Sequence, residues 1–161
     1  ISTRGNFIRG NVDSLCNFES KMNRIIVKNI SELSASVPTI LKEIEGVKHV
    51  LFSAEMGSGK TTLIGQIIAY LGMNFEGSPT YSLVNSYQDQ HGTDYLHFDL
   101  YRLNDEEEVF DAGIEEALYT GAVCFIEWPE LVRSLLPENV VEIRISVGSE
   151  NERIIEILRT I

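Results

Sequence analysis

The chain has 161 residues, 43% of them hydrophobic, which suits one domain with a buried core. Its formal net charge of −11 argues against a surface that grips nucleic acid by itself, because affinity for a polyphosphate comes largely from Lys and Arg, so any contact with RNA should run through a partner. No stretch approaches the roughly 20 apolar residues of a membrane span and no secretory signal is recognisable, so we expect a cytoplasmic protein without membrane contact.

The first 21 residues differ in composition from the rest of the chain. They are rich in Asn, Ser, Gly and Arg, and no apolar period persists through them. We expect residues 1–21 to be a leader foreign to the native chain or a disordered extension, and a single domain over residues 22–161. Mass spectrometry of the protein from its native source tests this, since a peptide from within residues 1–21 would contradict a foreign leader.

A short strand and a broken helix are predicted ahead of the first glycine-rich loop. The β-branched residues from Ile25 to Lys28 favour a strand, and Ser31 is a suitable cap for a helix. Pro38 removes a backbone hydrogen bond from that helix. We therefore expect a turn or kink near Ser36 and a firmer helix over residues 38–45.

A strand, a glycine-rich loop and a helix then follow one another. The apolar residues 47–53 predict the strand, residues 54–62 read Ala-Glu-Met-Gly-Ser-Gly-Lys-Thr-Thr, and residues 63–71 have helical apolar spacing. Such a loop points successive N–H groups into one hollow in front of a helix N-terminus, where a phosphate binds. In this pattern Lys60 reaches the β- and γ-phosphates and the Thr61 hydroxyl faces Mg²⁺. The residues expected to contact the nucleotide are Met56, Gly57, Ser58, Gly59, Lys60, Thr61 and Thr62.

The loop departs from the phosphate-loop pattern at its first position, where Ala54 replaces glycine. A left-handed backbone would cost alanine about 1–2 kcal/mol, so we expect an ordinary strand-end φ at Ala54. Gly57 and Gly59 remain to make the tight part of the loop. The alternative interpretation is a glycine-rich turn with an exposed lysine.

The next segment is predicted to be a β-hairpin. Residues 83–89 form its first arm, the turn lies around residues 91–92, and residues 95–101 form its second arm. The second arm alternates, so that its leucines and phenylalanine share one face while His97 and Asp99 share the other. We expect a half-buried strand with a polar face.

Three polar residues of the hairpin region are candidates for the site. Asp99 could orient an attacking water or hold Mg²⁺ through water, or it is simply a carboxylate on the hairpin surface. His97 is expected to be structural. Thr80 lies in a turn-rich loop, residues 77–81, which either closes over a γ-phosphate as switch loops do or is only a turn.

The buried strand predicted over residues 122–126 ends in Glu127. A phosphate loop needs a second acidic anchor for Mg²⁺ at the C-terminal end of a neighbouring strand, and Glu127 stands in that place. The alternative is a strand-end glutamate in water. Cys124, within the strand, is interpreted as an ordinary buried thiol.

The remaining elements complete an α/β fold. Asn104 and Glu107 have a capping-box arrangement, which predicts that a helix begins at Asn104. We expect a P-loop NTPase-like mixed sheet flanked by helices on both sides, with antiparallel hairpins. The other predicted elements are helices over residues 114–119 and 129–136 and two antiparallel strands over residues 140–147 and 153–158.

Four motifs in this order resemble the bacterial TsaE family, the small ATPases of tRNA threonylcarbamoyladenosine (t6A) biosynthesis. The similarity extends over residues 22–161, and the last three motifs are more specific than the phosphate loop. Where the family usually has Gly-Asp, this chain has Ala54-Glu55. The motifs are Gly57-Ser58-Gly59-Lys60-Thr61-Thr62, Ser78-Pro79-Thr80-Tyr81-Ser82-Leu83-Val84, His97-Phe98-Asp99-Leu100-Tyr101-Arg102-Leu103 and Ile126-Glu127-Trp128-Pro129-Glu130.

The resemblance implies ATP and Mg²⁺ as ligands and assigns roles to single residues. It implies that Lys60 and Thr61 bind phosphate and Mg²⁺ and that Thr80 belongs to a nucleotide-responsive loop. It also implies that Asp99 and Glu127 serve metal binding and hydrolysis. In the family, ATP binding and hydrolysis act on a complex of the threonylcarbamoyl transferase and its partner subunit, which modify tRNA, so this chain would meet tRNA only indirectly. Its oligomeric state is left open.

Two other functions remain as alternatives. A small-molecule kinase would need an acceptor pocket and usually an arginine-rich lid, whereas Arg102 is isolated after the loop. A nucleotide-gated binding module would use ATP only to select a docking-competent conformation, without required turnover.

Overall fold

The computed structural model of the protein describes residues 21–159, and the expectations for residues 1–20 lie outside the described residues. Residues 21–159 form seven strands, four α-helices and three short 3₁₀ helices. The strands are β1 (Lys21–Val27), β2 (His49–Ala54), β3 (Val84–Gln88), β4 (Asp94–Asp99), β5 (Val123–Glu127), β6 (Val140–Val147) and β7 (Arg153–Arg159). The α-helices are α1 (Val37–Glu43), α2 (Lys60–Tyr70), α3 (Glu106–Asp111) and α4 (Ile114–Leu118). Short 3₁₀ helices span Ile30–Ser36, Pro129–Leu135 and Ser149–Asn151.

The strands form one mixed sheet in the order β1-β7-β6-β2-β5-β4-β3. β2 is parallel to β5 and β6, and β4 is parallel to β5, while the pairs β1/β7, β6/β7 and β3/β4 are antiparallel. The predicted α/β fold with a mixed sheet and antiparallel hairpins is therefore confirmed. Because parallel strands end at the same edge, Ala54, Asp99 and Glu127 emerge together, with Asp99 directly opposite Glu127.

Helices cover both faces of the sheet, as expected. On one face, α1, α2 and the 3₁₀ helix Ile30–Ser36 pack against β2, β5 and β6, with Phe52 and Ile64 among the fully buried side chains. On the other face, α3, α4 and the 3₁₀ helix Pro129–Leu135 pack against β4 and β5. Within residues 21–159, no helix combines the length and the apolar character that a bilayer crossing requires.

The prediction for the second arm of the hairpin is half right. The two faces alternate as predicted, since Leu96 and Phe98 join the core beneath α3 and α4 while Tyr95 faces the α2 side. The polar face with His97 and Asp99 is present, but the expectation of a half-buried strand is wrong, because these two residues are only 0% and 6% exposed. The segment that follows α2 folds back over this face, where the ring of Phe75 lies 6.0 Å from that of His97.

Two helix starts lie one or two residues from their predicted positions. Asn29, not Ser31, caps the 3₁₀ helix Ile30–Ser36, because its side chain accepts from the Ser31 amide at 3.0 Å. Asp105, not Asn104, caps α3 by accepting from the Glu108 amide at 3.0 Å. The break near Ser36 is confirmed: the 3₁₀ helix ends there, and α1 begins with Pro38 in its first turn, where its missing N–H costs nothing.

Candidate functional site

The glycine-rich loop joins β2 to α2 at the sheet edge where the parallel strands end. Gly57 (φ +77°) and Gly59 (φ +113°) adopt left-handed backbone conformations, whereas Ala54 has no positive φ, as expected. A Cβ on Gly59 would also lie 3.1 Å from Leu33 and 3.3 Å from Ile30. Gly59 is thus required both by its φ and by the close approach of the 3₁₀ helix Ile30–Ser36.

A residue from the far end of the chain braces the loop. Arg153, the first residue of β7, donates from Nε to the Ser58 carbonyl at 2.8 Å and from a terminal nitrogen to the Asn151 carbonyl at 2.7 Å. The side chain of Ser58 is buried, and its Oγ has no hydrogen-bond partner within the described part of the chain. Arg153 therefore ties the middle of the loop to the start of β7.

The loop opens into a cleft of about 560 Å³. This volume is in the range of small-molecule sites. Apart from Ser58, every residue predicted to contact the nucleotide or to serve catalysis lines it. These residues are Met56, Gly57, Gly59, Lys60, Thr61, Thr62, Thr80, Asp99 and Glu127. Four more residues complete the lining, namely Ile30, Ser78, Tyr101 and Trp128.

Glu127 lies at the centre of one hydrogen-bonded cluster. Glu127 is only 2% exposed, and the Thr61 hydroxyl lies 2.9 Å from both oxygens of its carboxylate. His97 Nε2 lies 2.8 Å from Oε1. Thr61 and Glu127, predicted as the metal residues, are thus in direct contact.

The donor set at Glu127 fits Mg²⁺. A hydroxyl and a carboxylate are hard oxygen ligands, and Mg²⁺ in nucleotide sites typically takes one or two such side chains together with phosphate oxygens and waters. Over residues 21–159, no cluster of three or more His, Cys, Asp or Glu side chains could hold a metal. A cation held by Thr61 and Glu127 would accordingly need the phosphates of a nucleotide to complete its ligands.

Asp99 anchors the loop that carries Thr80. Its Oδ2 accepts from the Ser78 hydroxyl and, at 2.9 Å, from the Thr80 hydroxyl, and its Oδ1 accepts from the Tyr101 amide at 3.2 Å. The Ser78 and Thr80 hydroxyls also bond one another at 2.7 Å. The predicted loop residue and the predicted catalytic carboxylate are therefore directly linked.

Lys60 is folded back over the loop. Its Nζ donates to the Ala54 carbonyl at 2.6 Å and to the Glu55 carbonyl at 3.1 Å, and it lies 4.0 Å from the centroid of the Trp128 ring. The backbone of Trp128 is left-handed (φ +57°, ψ +60°), which is a costly conformation for a bulky residue.

The electrostatics at Lys60 combine opposing effects. Burial lowers the pKa of its ammonium below the ordinary value of 10.5, and the negative charges of Glu127, Asp99 and Glu130 oppose that shift.

Sequence reasoning missed two of these contacts. The bond from His97 to Glu127 and the bond from Ser78 to Asp99 both join segments distant in sequence. The alternation of residues 95–101 places His97 on the face of Asp99, but only the parallel register with β5 shows that Glu127 shares that face. Ser78 opens the second family motif, but nothing within that motif shows that its hydroxyl reaches Asp99.

The fold and the site define the class of protein. A buried strand, a glycine-rich loop with Lys60 and Thr61 at the following helix start, and the acidic end of the adjacent strand make this a P-loop NTPase-like α/β protein. The family model described as "Threonylcarbamoyl adenosine biosynthesis protein TsaE" matches residues 27–155, and the chain belongs to the TsaE family.

Individual relatives agree with this assignment. The chain is 34% identical to a Rickettsia felis protein named "tRNA threonylcarbamoyladenosine biosynthesis protein TsaE", over 83% of this chain and 78% of the relative. A Haemophilus influenzae protein of the same name is 37% identical over 69% of this chain and 70% of its own length. The crystal structure of Bacillus subtilis YdiB superposes with a TM-score of 0.69, covering 88% of this chain and 87% of YdiB, at 23% identity. That last likeness concerns the fold alone.

Proposed function

We propose that this protein is a Mg²⁺-dependent ATPase whose nucleotide cycle acts on the threonylcarbamoyl transferase and its partner subunit during t6A modification of tRNA. The observation that carries the proposal is the convergence of Lys60, Thr61, Asp99 and Glu127 on one cleft in front of the glycine-rich loop. Family membership supports the pathway. A tRNA-modifying role would place the protein in the cytoplasm.

The net charge of −11 supports a division of labour in which this chain contacts protein partners and meets tRNA only through them. An acidic surface repels the phosphate backbone, so the partners would supply the basic groups that hold the tRNA.

The residues of the loop have distinct tasks in phosphate binding. The backbone N–H groups of residues 57–62 and the start of α2 favour a bound polyphosphate. Lys60 would exchange its contacts with the Ala54 and Glu55 carbonyls for the β- and γ-phosphates, to which it offers a full positive charge. Thr61 and Glu127 would hold Mg²⁺, which when bound neutralises charge developing on the phosphate oxygens.

In the hydrolytic step, Asp99 is the proposed hydrogen-bond acceptor for the attacking water. Water attacks the γ-phosphorus and the bond from that phosphorus to the ADP oxygen breaks, so that ADP and inorganic phosphate leave. The phosphate keeps the water oxygen and one of its protons, and the other proton passes to solvent. Asp99 would orient this water and accept its hydrogen bond. In the structure its Oδ2 is engaged by Ser78 and Thr80, so the loop carrying these hydroxyls must release Asp99 before hydrolysis. Such a requirement would make turnover slow without partners.

The binding module without turnover is the second candidate. The same engaged state of Asp99 favours it, because the Ser78 and Thr80 hydroxyls already occupy Oδ2. The kinase has less support: within the part of the chain that the structure describes, no arginine lines the cleft to shield a transferred phosphoryl group.

Phosphate release from ATP, with and without the two partner proteins, separates these functions. We expect slow release by the isolated chain and faster release with the partners. The module would be favoured if docking needs ATP while Glu127→Ala supports normal tRNA modification. Recovery of all lost γ-phosphate as free phosphate would exclude a kinase.

Single-residue variants test the assigned roles. Lys60→Ala should abolish nucleotide binding, because no other described side chain in the cleft offers its charge to the phosphates. Asp99→Ala should bind nucleotide yet lose turnover. Asp94→Ala is a matched control, since Asp94 is an exposed carboxylate at the other end of the same strand. Undiminished hydrolysis by Asp99→Ala would contradict its role.

A further inference from the structure

His97 is a buried polar side chain whose role in the site is unassigned. It lies on β4, two residues before Asp99, and has no exposed surface. Nε2 lies 2.8 Å from Oε1 of Glu127, and Nδ1 is buried without a hydrogen-bond partner among residues 21–159. Within that range, the bond to Glu127 is thus the single polar contact of the imidazole.

Packing alone does not explain a histidine at this position. Burying a polar atom without a hydrogen-bond partner is costly, and Nδ1 is in that condition among residues 21–159. The ring neighbour is Phe75, against which an apolar side chain would pack without this cost. The remaining polar atom, Nε2, therefore distinguishes His97 from a leucine here, and it contacts Glu127.

The contacts of His97 and Thr61 on Glu127 are not equivalent. The Thr61 hydroxyl lies 2.9 Å from both carboxylate oxygens, and its one proton does not select between them. His97 reaches Oε1 alone. A carboxylate that serves as a metal ligand can only accept hydrogen bonds, so that role of Glu127 requires Nε2 to be the donor. His97 is consequently the group that makes the two oxygens of Glu127 different.

We propose that His97 is a positioning residue, which holds Oε1 of Glu127 through Nε2–H and thereby leaves Oε2 and the Thr61 hydroxyl for the Mg²⁺ that accompanies a nucleotide. The inference rests on the proposed function, because it requires a Mg²⁺–nucleotide ligand. Residues that hold a metal ligand in place typically change metal affinity by about 10–100-fold when they are replaced. His97 does not line the cleft, so in this role it acts through Glu127.

The test measures the affinity for ADP by isothermal titration calorimetry, once with Mg²⁺ and once with EDTA. The ratio of the two affinities isolates the contribution of Mg²⁺ and requires no turnover. We expect His97→Leu to lower this ratio by about tenfold while leaving the affinity in EDTA unchanged. His97→Gln should keep most of the ratio, because its amide offers an N–H donor at the same number of bonds from Cα.

His49→Leu is the matched control. His49 is also a buried strand histidine whose Nδ1 has no hydrogen-bond partner in the described part of the chain, and its Nε2 lies 2.9 Å from the Leu118 carbonyl. It stands at the start of β2, at the opposite end of the strand from the cleft. Thermal unfolding of all three variants verifies that they are folded. His49→Leu is expected to lose stability and to keep the full Mg²⁺ effect.

The possible outcomes separate the inference from the proposed function. Absence of ADP binding, or of any Mg²⁺ effect, in the unchanged chain would overturn both. A Mg²⁺ effect in the unchanged chain that persists in folded His97→Leu would overturn the positioning role alone. That role would equally be overturned if His97→Gln were folded and as defective as His97→Leu, or if His49→Leu lost the effect to the same extent.

Discussion

The contact between Lys60 and Trp128 should be measurable as a coupling energy in the ligand-free protein. The Lys60 ammonium lies 4.0 Å from the ring centroid, and the residue is only 5% exposed. A desolvated contact of this kind contributes about 2 kcal/mol, against about 0.5–1 kcal/mol at an exposed site. Partial access from the open cleft reduces the upper figure, so we expect a coupling of about 1–2 kcal/mol.

A double-mutant cycle of Lys60→Met, Trp128→Leu and the double variant isolates that coupling. Lys60→Met removes the hydrogen bonds to the backbone carbonyls both when Trp128 is present and when it is replaced by leucine. Their contribution therefore cancels in the coupling energy. Urea unfolding should be followed by circular dichroism, because Trp128 is the only tryptophan of the chain and its removal deletes the tryptophan fluorescence signal. A coupling below about 0.5 kcal/mol would refute the reasoning, since such a value is no larger than that between independent sites.

The pH dependence of the same variants tests the effect of burial on Lys60. Its pKa in the folded chain is lowered from 10.5, chiefly by burial, so the unfolded chain binds more protons between the lowered pKa and 10.5. The contribution of Lys60 to stability therefore rises with pH through that window. The unchanged chain should gain stability relative to Lys60→Met as the pH increases towards 10.5, and a relative loss would show that the neighbouring carboxylates outweigh burial.

Three further predictions concern stability and reactivity away from the loop. Gly65→Ala should lower the melting temperature by about 2–4 °C, because the new Cβ would lie 2.8 Å from the Phe75 ring. The overpacking, about 1–3 kcal/mol, should outweigh the gain in helix propensity of about 1 kcal/mol. A higher melting temperature in thermal unfolding would show that the Phe75 ring moves aside without cost. Asp105→Ala should lower the free energy of unfolding, measured in urea, by about 1 kcal/mol, because the Asp105 side chain caps α3. Asn104→Ala should lower it clearly less, and equal losses would contradict Asp105 as the cap. Cys124 should resist iodoacetamide in the folded protein at pH 8 and react in urea, because burial raises the pKa of its thiol to about 12. Peptide mapping that finds Cys124 labelled in the folded protein would contradict this burial.

Local patterns in the sequence were sufficient for much of the fold. Periodicity within a segment is a property of neighbouring residues, so the strand, loop and helix around Lys60 and the alternation of residues 95–101 were predictable. The helix starts were less predictable, because Asn29 and Asp105 each compete with a nearby residue that can also cap. Which of the two residues caps the helix depends on where the chain enters the helix, and tertiary packing sets that point.

The sequence by itself determined the glycine-rich end of the site, since Gly59, Lys60 and Thr61 are consecutive and their geometry follows from one turn into one helix. The acidic end was decided only by the tertiary structure. The parallel register of β4 and β5 places Asp99 opposite Glu127 and brings His97 onto the Glu127 carboxylate. Register arises from hydrogen bonds and side-chain packing between strands distant in sequence, and no pattern within either strand specifies it.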